Sequence, residues 1–197
     1  MKLVIPTLML AVLAGRLAGG SLSNLGKLRI AWTPLALIGL TLQFLIPPGQ
    51  WPLTLLMVSF VLLLIFGAVN FEVPGFPLIV AGVVLNFLVI AVNHGMPVTE
   101  HAIVVSGQQD TLRQLVSDPG VKHHLAGPDD ELLFLGDFIA LPQPVGQIVS
   151  VGDILTYGGV AWLVFAAMRR RRVVNAPPIG SVPFPAPGRQ EAAGVDG

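Results

Sequence analysis

The sequence predicts an all-α membrane protein, a polytopic helix bundle of about five transmembrane helices plus a short re-entrant or interfacial helix. Its 197 residues are 53% hydrophobic and only 11% charged, whereas soluble domains carry about 25% charged residues. Five apolar runs each have roughly the length that crosses about 30 Å of hydrocarbon. Prolines, glycines and polar residues separate the runs and end one helix before the next begins.

The five runs make up a membrane domain over residues 1–172. Pro47 and Pro48 end the second run, Trp51 anchors the third at the interface, and Asn93 closes the fourth. The predicted spans cover residues 3–18, 30–46, 51–69, 76–92 and 152–168.

The first run also has features of a signal peptide, because Lys2 precedes a short apolar stretch and small residues follow it. An arginine just before a cleavage position is unusual, so Arg16 favours an uncleaved helix over a signal peptide.

Charge position predicts the orientation. With five spans the chain ends lie on opposite sides, and the four arginines at 169–172 place the C-terminus in the cytoplasm. The expected location is the bacterial plasma membrane, with the N-terminus outside. Residues 93–151 then form an extracytoplasmic cap, which includes a short helix at 108–117 and the re-entrant segment at 132–138. The tail, residues 173–197, is Pro-rich and is expected to be disordered.

The unusual polar residues gather in and beside the cap, where all four histidines and most of the acids fall. Two aspartates in Gly-Asp pairs, Asp137 and Asp153, stand in apolar sequence, where a carboxylate is expensive. If they share a site, one carboxyl stays protonated and the other ionised, as general acid–base chemistry requires. The structural alternative makes Asp153 part of a capping box with Ser150, and makes Asp137 a turn carboxylate that accepts backbone donors. The structural alternative carries more weight.

Four motifs carry a resemblance. Gly-Gly-x-Leu-x-Asn-Leu stands at 19–25, Asn-x-Gly-Met-Pro-Val at 93–98, Leu-Gly-Asp-x-Ile-x-Leu-Pro at 135–142, and Ser-x-Gly-Asp-Ile at 150–154. With them the chain resembles an uncharacterised family of small multi-pass membrane proteins of actinobacteria and clostridia. That resemblance covers nearly all of the chain before the tail and implies about five helices and no known activity. The residues expected to bind a ligand are Asn93, His94, Gly95, Pro97, Gly136 and Gly152.

A second resemblance is to the lipoprotein signal peptidase family. Asn93-His94-Gly95, Asp137-Phe138-Ile139 and Asp153 are similar to elements of that family, whose two aspartates form a catalytic pair at the outer membrane face. In that family two spans separate the Asn-Gly motif from the first aspartate, and here there are none.

Other functions are disfavoured. The net charge is zero, which gives no case for nucleic acid, and the absence of cysteine excludes thiolate chemistry. The histidines lack a zinc-ligand spacing, so we expect no metal and no cofactor. Gln43 and Asn86 are expected to make hydrogen bonds between helices. The preferred hypothesis is a non-enzymatic membrane protein whose cap binds a membrane lipid headgroup or a membrane-protein partner. The alternative is a hydrolase that uses Asp137 and Asp153.

Overall fold

A computed structural model describes residues 2–44, 53–117 and 122–169, and these residues are mostly helical. Each long apolar helix lies within one of the five predicted runs or extends it by one residue at one or both ends. The turn at 47–50, Trp51 and the tail at 173–197 lie outside the described residues. The long apolar helices are α1 (Val4–Leu17), α2 (Thr33–Phe44), α3 (Leu53–Val69), α4 (Phe76–Asn93) and α7 (Val151–Arg169).

Two of these helices, α4 and α7, are long and apolar enough to cross a membrane. Only 22% of the apolar window of each is buried inside the protein. The core helix of a soluble protein would be mostly buried, and these two helices are not. The other three helices are apolar but shorter, at 10–17 residues.

The five helices lie side by side in the order α1, α7, α4, α3, α2. At one end Leu3 N donates to Gln147 Oε1, and at the other Gly15 packs against Met168, so α1 and α7 run in the same direction. Asn70, just after α3, holds the backbone of Ala31 before α2 through hydrogen bonds of 2.8 and 2.9 Å. Each long helix therefore runs opposite to the one before it in the chain.

Glycines allow α4 and α7 to pack closely. A Cβ added at Gly152 would lie 2.6 Å from Gly82 O, and one at Gly159 would lie 2.7 Å from Gly75 O. Both distances are too short for a real carbon contact, so these positions accept only glycine without moving the helices apart.

The described part of the cap, residues 94–117 and 122–150, lies at one end of the bundle, which we call the capped end. β1 and β2 pair in parallel, β3 and β4 form an antiparallel hairpin, and the backbone of Asp137 bridges to Val98 in β1. The cap elements are β1 (Met96–Val98), α5 (Glu100–Ser106), α6 (Gln109–Ser117), β2 (His123–Leu125), a 3₁₀ turn (Leu133–Leu135), β3 (Ile139–Leu141) and β4 (Gln147–Val149).

Two predictions for the cap need correction. The protein is mostly helical, but the cap is not all-α, because its described residues include four strands of three residues each, too short to give an alternating pattern. The helix expected at 132–138 is only the single 3₁₀ turn Leu133–Leu135. It ends because Asp137 N donates to Pro97 O and Asp137 O accepts from Thr99 N, which ties this segment to β1. The helix predicted at 108–117 is present as α6.

The cap and the bundle share one hydrophobic core. Its buried members come from α3, α4, β1 and the 3₁₀ turn of the cap: Leu56, Phe60, Val89, Ile90, Met96 and Leu135. A second cluster inside the cap joins Val98, Ile103 and Leu115. The shared core holds the cap in a fixed position over the ends of α3 and α4.

Candidate functional site

Asp153 lies in the first turn of α7 and forms the capping box that the sequence predicts. Its backbone N–H donates to Ser150 Oγ at 3.0 Å, and its Oδ2 accepts from Ser150 N at 3.4 Å. These bonds satisfy donors that the start of a helix leaves without partners, and they place the carboxylate beside the positive end of the helix dipole.

Asn86 extends this box to the neighbouring helix. Its Nδ2 donates to Asp153 Oδ1 at 2.9 Å, and its Oδ1 accepts from Ser150 Oγ at 2.9 Å. The hydrogen bond expected between helices for Asn86 is present, and so is that for Gln43, which donates to Ser59 Oγ at 3.0 Å. Asn86 lies seven residues before the end of α4 at Asn93, so the Asp153 carboxylate sits about 10 Å below that end.

Asp137 has a different environment. Its side chain is buried, with 8% of the residue exposed, and its Oδ1 has no hydrogen-bond partner among the described residues. Its Oδ2 lies 3.7 Å from His123 Nε2, too far for a good hydrogen bond. The backbone donors expected for Asp137 as a turn carboxylate are therefore not on Oδ1.

Gly136 explains how Asp137 reaches this position. A Cβ on Gly136 would lie 2.8 Å from Pro97 O, so the close approach to β1 needs glycine. In the paired strands His123 stands beside Met96, and Asp137 bridges to Val98 on the other side of β1. The fold thus brings His123 and Asp137 together, although they are not neighbours in the sequence.

Burial and charge raise the pKa of the Asp137 carboxyl to about 7, first through desolvation and then through the charge of Asp153, with Lys122 acting in the opposite direction. Burial lowers the pKa of the Lys122 ammonium, against the effect of the two aspartates. The pKa of the His123 imidazole is also lowered, first by burial and then by Lys122 and His124. Its side chain is 42% exposed, so solvent weakens this shift, but the direction keeps the ring neutral.

The Asn-His-Gly motif is not part of this cluster. Asn93 donates from Nδ2 to Val89 O at 2.9 Å and to Glu131 O at 2.8 Å, and its Oδ1 accepts from Glu131 N at 2.7 Å. His94 is exposed and takes a left-handed conformation, φ 56°, and Gly95 N donates back to Ile90 O. These three residues end α4 and fasten it to the cap.

The remaining predicted binding residues flank the aspartates. Pro97 and Gly136 lie beside Asp137, and Gly152 precedes Asp153 and packs against Asn86. Sequence reasoning did not identify Lys122 or His123 as neighbours of Asp137, because their proximity depends on the pairing of β1 with β2. No local spacing in the sequence signals that contact.

The other cap histidines do not gather around a metal position. His124 Nε2 lies 2.8 Å from Asp130 Oδ1, and His94 and His101 are exposed. Burial alone would raise the pKa of Asp130, but the Gly127 amide and His124 outweigh it and lower that pKa. Across residues 2–44, 53–117 and 122–169, no three His, Cys, Asp or Glu residues stand close enough to hold a metal ion.

The chain is similar to known sequences but not to known structures. A model described as "Family of unknown function (DUF5317)" matches residues 27–165. A protein of Thermotoga maritima described as "Uncharacterized protein" is 33% identical over 172 residues, which cover 86% of this chain and 93% of the relative. No solved structure matches.

Proposed function

The chain belongs to the DUF5317 family of unknown function, and from its own residues we propose that it is an integral protein of the bacterial plasma membrane with five spans. Its extracytoplasmic cap binds a lipid headgroup or a partner protein at Asp137.

The exposed apolar surface of the bundle supports the membrane location. Large apolar side chains face outward on α1 through α4 and on α7; examples are Ile5 at 68%, Leu37 at 65%, Val58 at 48%, Leu88 at 43% and Trp162 at 51% exposed. Soluble monomers rarely expose continuous apolar patches of this extent. Lipid covers such a surface at no desolvation cost. Helices shorter than the bilayer are accommodated by snorkelling of their flanking side chains and by local thinning of the bilayer.

The basic residues support one orientation. Arg16, Lys27, Arg29 and Arg169 all lie at the end opposite the cap, which we call the turn end because it holds the turn between α3 and α4. The positive-inside rule places that end in the cytoplasm. The alternating helix directions then put the cap outside.

Single-cysteine labelling tests the topology directly, since the chain has no cysteine of its own. Glu100→Cys on the cap and Ser23→Cys at the turn end both replace exposed residues. A membrane-impermeant maleimide should label the first variant in intact cells and the second only after lysis. Equal labelling of both in intact cells, or release of the protein by alkaline extraction, would contradict a five-span protein with this orientation.

The orphaned oxygen of Asp137 supports a binding role for the cap. A buried acceptor without a partner loses free energy, about 1–3 kcal/mol for a neutral group and more for a charged one. The charged groups around Asp137 are Asp153 and Lys122. A ligand that donates a hydrogen bond would satisfy Oδ1. Unsatisfied buried groups with perturbed pKa values are typical of functional sites.

A hydrophobic carbodiimide, which modifies protonated carboxyls, tests this binding. Labelling of Asp137 should be weaker in native membranes, where the ligand covers it, than in protein purified in detergent. Asp129 is an exposed cap aspartate, and its modification by a water-soluble carbodiimide should not differ between the two preparations. Equal labelling of Asp137 in both preparations would overturn the binding role.

A second candidate function is hydrolysis by the pair Asp137 and Asp153. One observation favours it: the charge of Asp153 helps to hold the Asp137 carboxyl protonated near pH 7. A protonated acid beside an ionised carboxylate is the arrangement that general acid–base catalysis uses. The capping box weighs against it, because it already occupies both oxygens of Asp153.

Activity on a fluorogenic lipid-linked peptide separates the two functions. If the pair is catalytic, Asp137→Asn and Asp153→Asn should each abolish cleavage while the variants remain folded. The matched control, Asp129→Asn, should cleave like the wild type. Cleavage that survives in the double variant would eliminate the hydrolase.

A further inference from the structure

A groove of about 360 Å³ opens at the turn end, far from Asp137. It lies between the turn that joins α3 to α4 and the second half of α7. Residues from both sides line it, among them Phe71, Glu72, Pro74, Pro77, Leu78 and Trp162. None of the functions above uses this groove.

The floor of the groove is set back from the end of the bundle. Pro74 and Pro77 flank Gly75, which takes a left-handed φ of 97°. A Cβ on Gly75 would lie 2.7 Å from Leu163 N, so the turn packs directly on α7. Leu163 precedes the last described residue of α7, Arg169, by six residues, so the turn lies about 9 Å below it.

One carboxylate and two aromatic rings face this groove. Glu72 is exposed, and no ion pair with it occurs among the described residues. Trp162 is 51% and Phe71 48% exposed. None of the residues that line the groove is basic. A carboxylate beside exposed aromatic faces attracts an organic ammonium group through ion pairing and cation–π contact.

A line of side chains along α7 supplies the opposite charge. The Trp162 ring stacks on Phe165, with centroids 5.5 Å apart and an interplanar angle of 26°. The Arg169 guanidinium lies 5.6 Å from the centroid of the Phe165 ring. Arg169 therefore stands next to an aromatic pair whose other ring, Trp162, lines the groove together with Glu72. This arrangement complements a ligand that carries a phosphate and an ammonium close together.

We propose that this groove binds the headgroup of a zwitterionic phospholipid with a primary ammonium. The ammonium contacts Glu72 and Trp162, and the phosphate is held by Arg169. The proposal rests on the membrane location proposed above, because a lipid reaches the groove only if the turn end lies at a membrane surface. It is independent of Asp137.

Native mass spectrometry of the full-length protein in detergent tests the site with two probes, phosphatidylethanolamine and anionic phosphatidylglycerol. The wild type should retain the first at a concentration about tenfold lower than the second, a difference of about 1.4 kcal/mol. Glu72→Gln and Trp162→Leu should each remove most of this preference. Glu100→Gln in the cap and Trp32→Leu, at a tryptophan 61% exposed, are matched controls that should keep it.

Equal retention of the two lipids by the wild type would overturn the headgroup site, and this result needs no variant to fold. Loss of preference in the control variants as fully as in the groove variants would also overturn it. Binding of neither lipid would reject the headgroup site as well. The cysteine labelling separates the two proposals. If it agrees with five spans and the protein shows no lipid preference, only the groove proposal is rejected.

Discussion

Two Gly-Asp pairs at the capped end differ in how their carboxylates are satisfied. In both pairs the glycine allows a close backbone approach, Gly136 to Pro97 and Gly152 to Gly82. The aspartate that follows is buried in the first pair and partly buried in the second. Asp153 is then held by Ser150 and Asn86, whereas Oδ1 of Asp137 has no partner.

The difference shows which aspartate is structural. Asp153 forms hydrogen bonds that begin a helix and join it to α4, so its side chain stabilises the fold. Asp137 raises the free energy of the folded state when it is charged, and groups of this kind are typical of functional sites. Substitutions at the two positions should therefore change stability in opposite directions.

The largest expected effect is the pH dependence due to Asp137. The pKa of its carboxyl is about 7 in the folded state and about 3.9 when unfolded. The folded state binds this proton more tightly, so the stabilisation is full below about pH 4 and is lost as the pH rises to about 7. Between about pH 5 and pH 8 the wild type should lose on the order of 3 kcal/mol relative to Asp137→Asn.

Unfolding in detergent at the two pH values, followed by circular dichroism, measures this difference. The change in unfolding free energy between the two pH values is measured for each protein, and the variant's change is subtracted from that of the wild type. This subtraction cancels the other titrating groups to first order. If Asp137→Asn is less stable than the wild type at about pH 8, Asp137 has a partner that stabilises its charge, and the contrast with Asp153 fails.

The next effect concerns the glycine of the second pair. Gly152→Ala places a carbon 2.6 Å from Asn86 Cγ, and overpacking of this kind costs about 1–3 kcal/mol. Gly158→Ala, on the same helix, meets nothing within 4 Å and should gain about 0.5–1 kcal/mol from helix propensity. The melting temperature should therefore fall in Gly152→Ala and rise in Gly158→Ala. Similar values would mean that α4 and α7 are not in close contact.

Loss of the capping box should have a smaller effect. Ser150→Ala removes the oxygen that accepts from Asp153 N and donates to Asn86, at a cost of about 0.5–2 kcal/mol. Asp153→Asn should cost a similar amount and show no gain at high pH. Equilibrium unfolding at about pH 8 checks both variants, and a stabilising effect of either one would make Asp153 resemble Asp137.

The smallest effect is expected at the surface of the cap. Asp110 pairs with Arg113 at 3.4 Å, with both side chains mostly exposed. Exposed pairs of this spacing contribute about 0.3–0.5 kcal/mol, so Asp110→Asn should unfold almost like the wild type. A loss similar to that of Ser150→Ala would show that burial does not determine the effect of these carboxylates.

Sequence reasoning located the long helices because their signal is local. Runs of apolar residues, and the prolines, glycines and polar residues between them, indicate where α1 through α4 and α7 begin and end. The capping box of Ser150 and Asp153 was also predictable, since its residues are three apart. The cap was predicted less well: its strands have three residues each, and the helix expected at 132–138 is replaced by pairing with β1.

The sequence by itself determined that the protein is strongly apolar and mostly helical. It also showed two aspartates that follow glycines in apolar sequence. Only the tertiary structure decided that Asp153 is satisfied and that Asp137 is not. The reason is physical: a hydrogen bond within one helical turn joins residues that are close in the sequence, whereas the partners of a buried carboxylate come from other elements. Asn86 reaches Asp153 from α4, and the pairing of β1 with β2 brings His123 to Asp137.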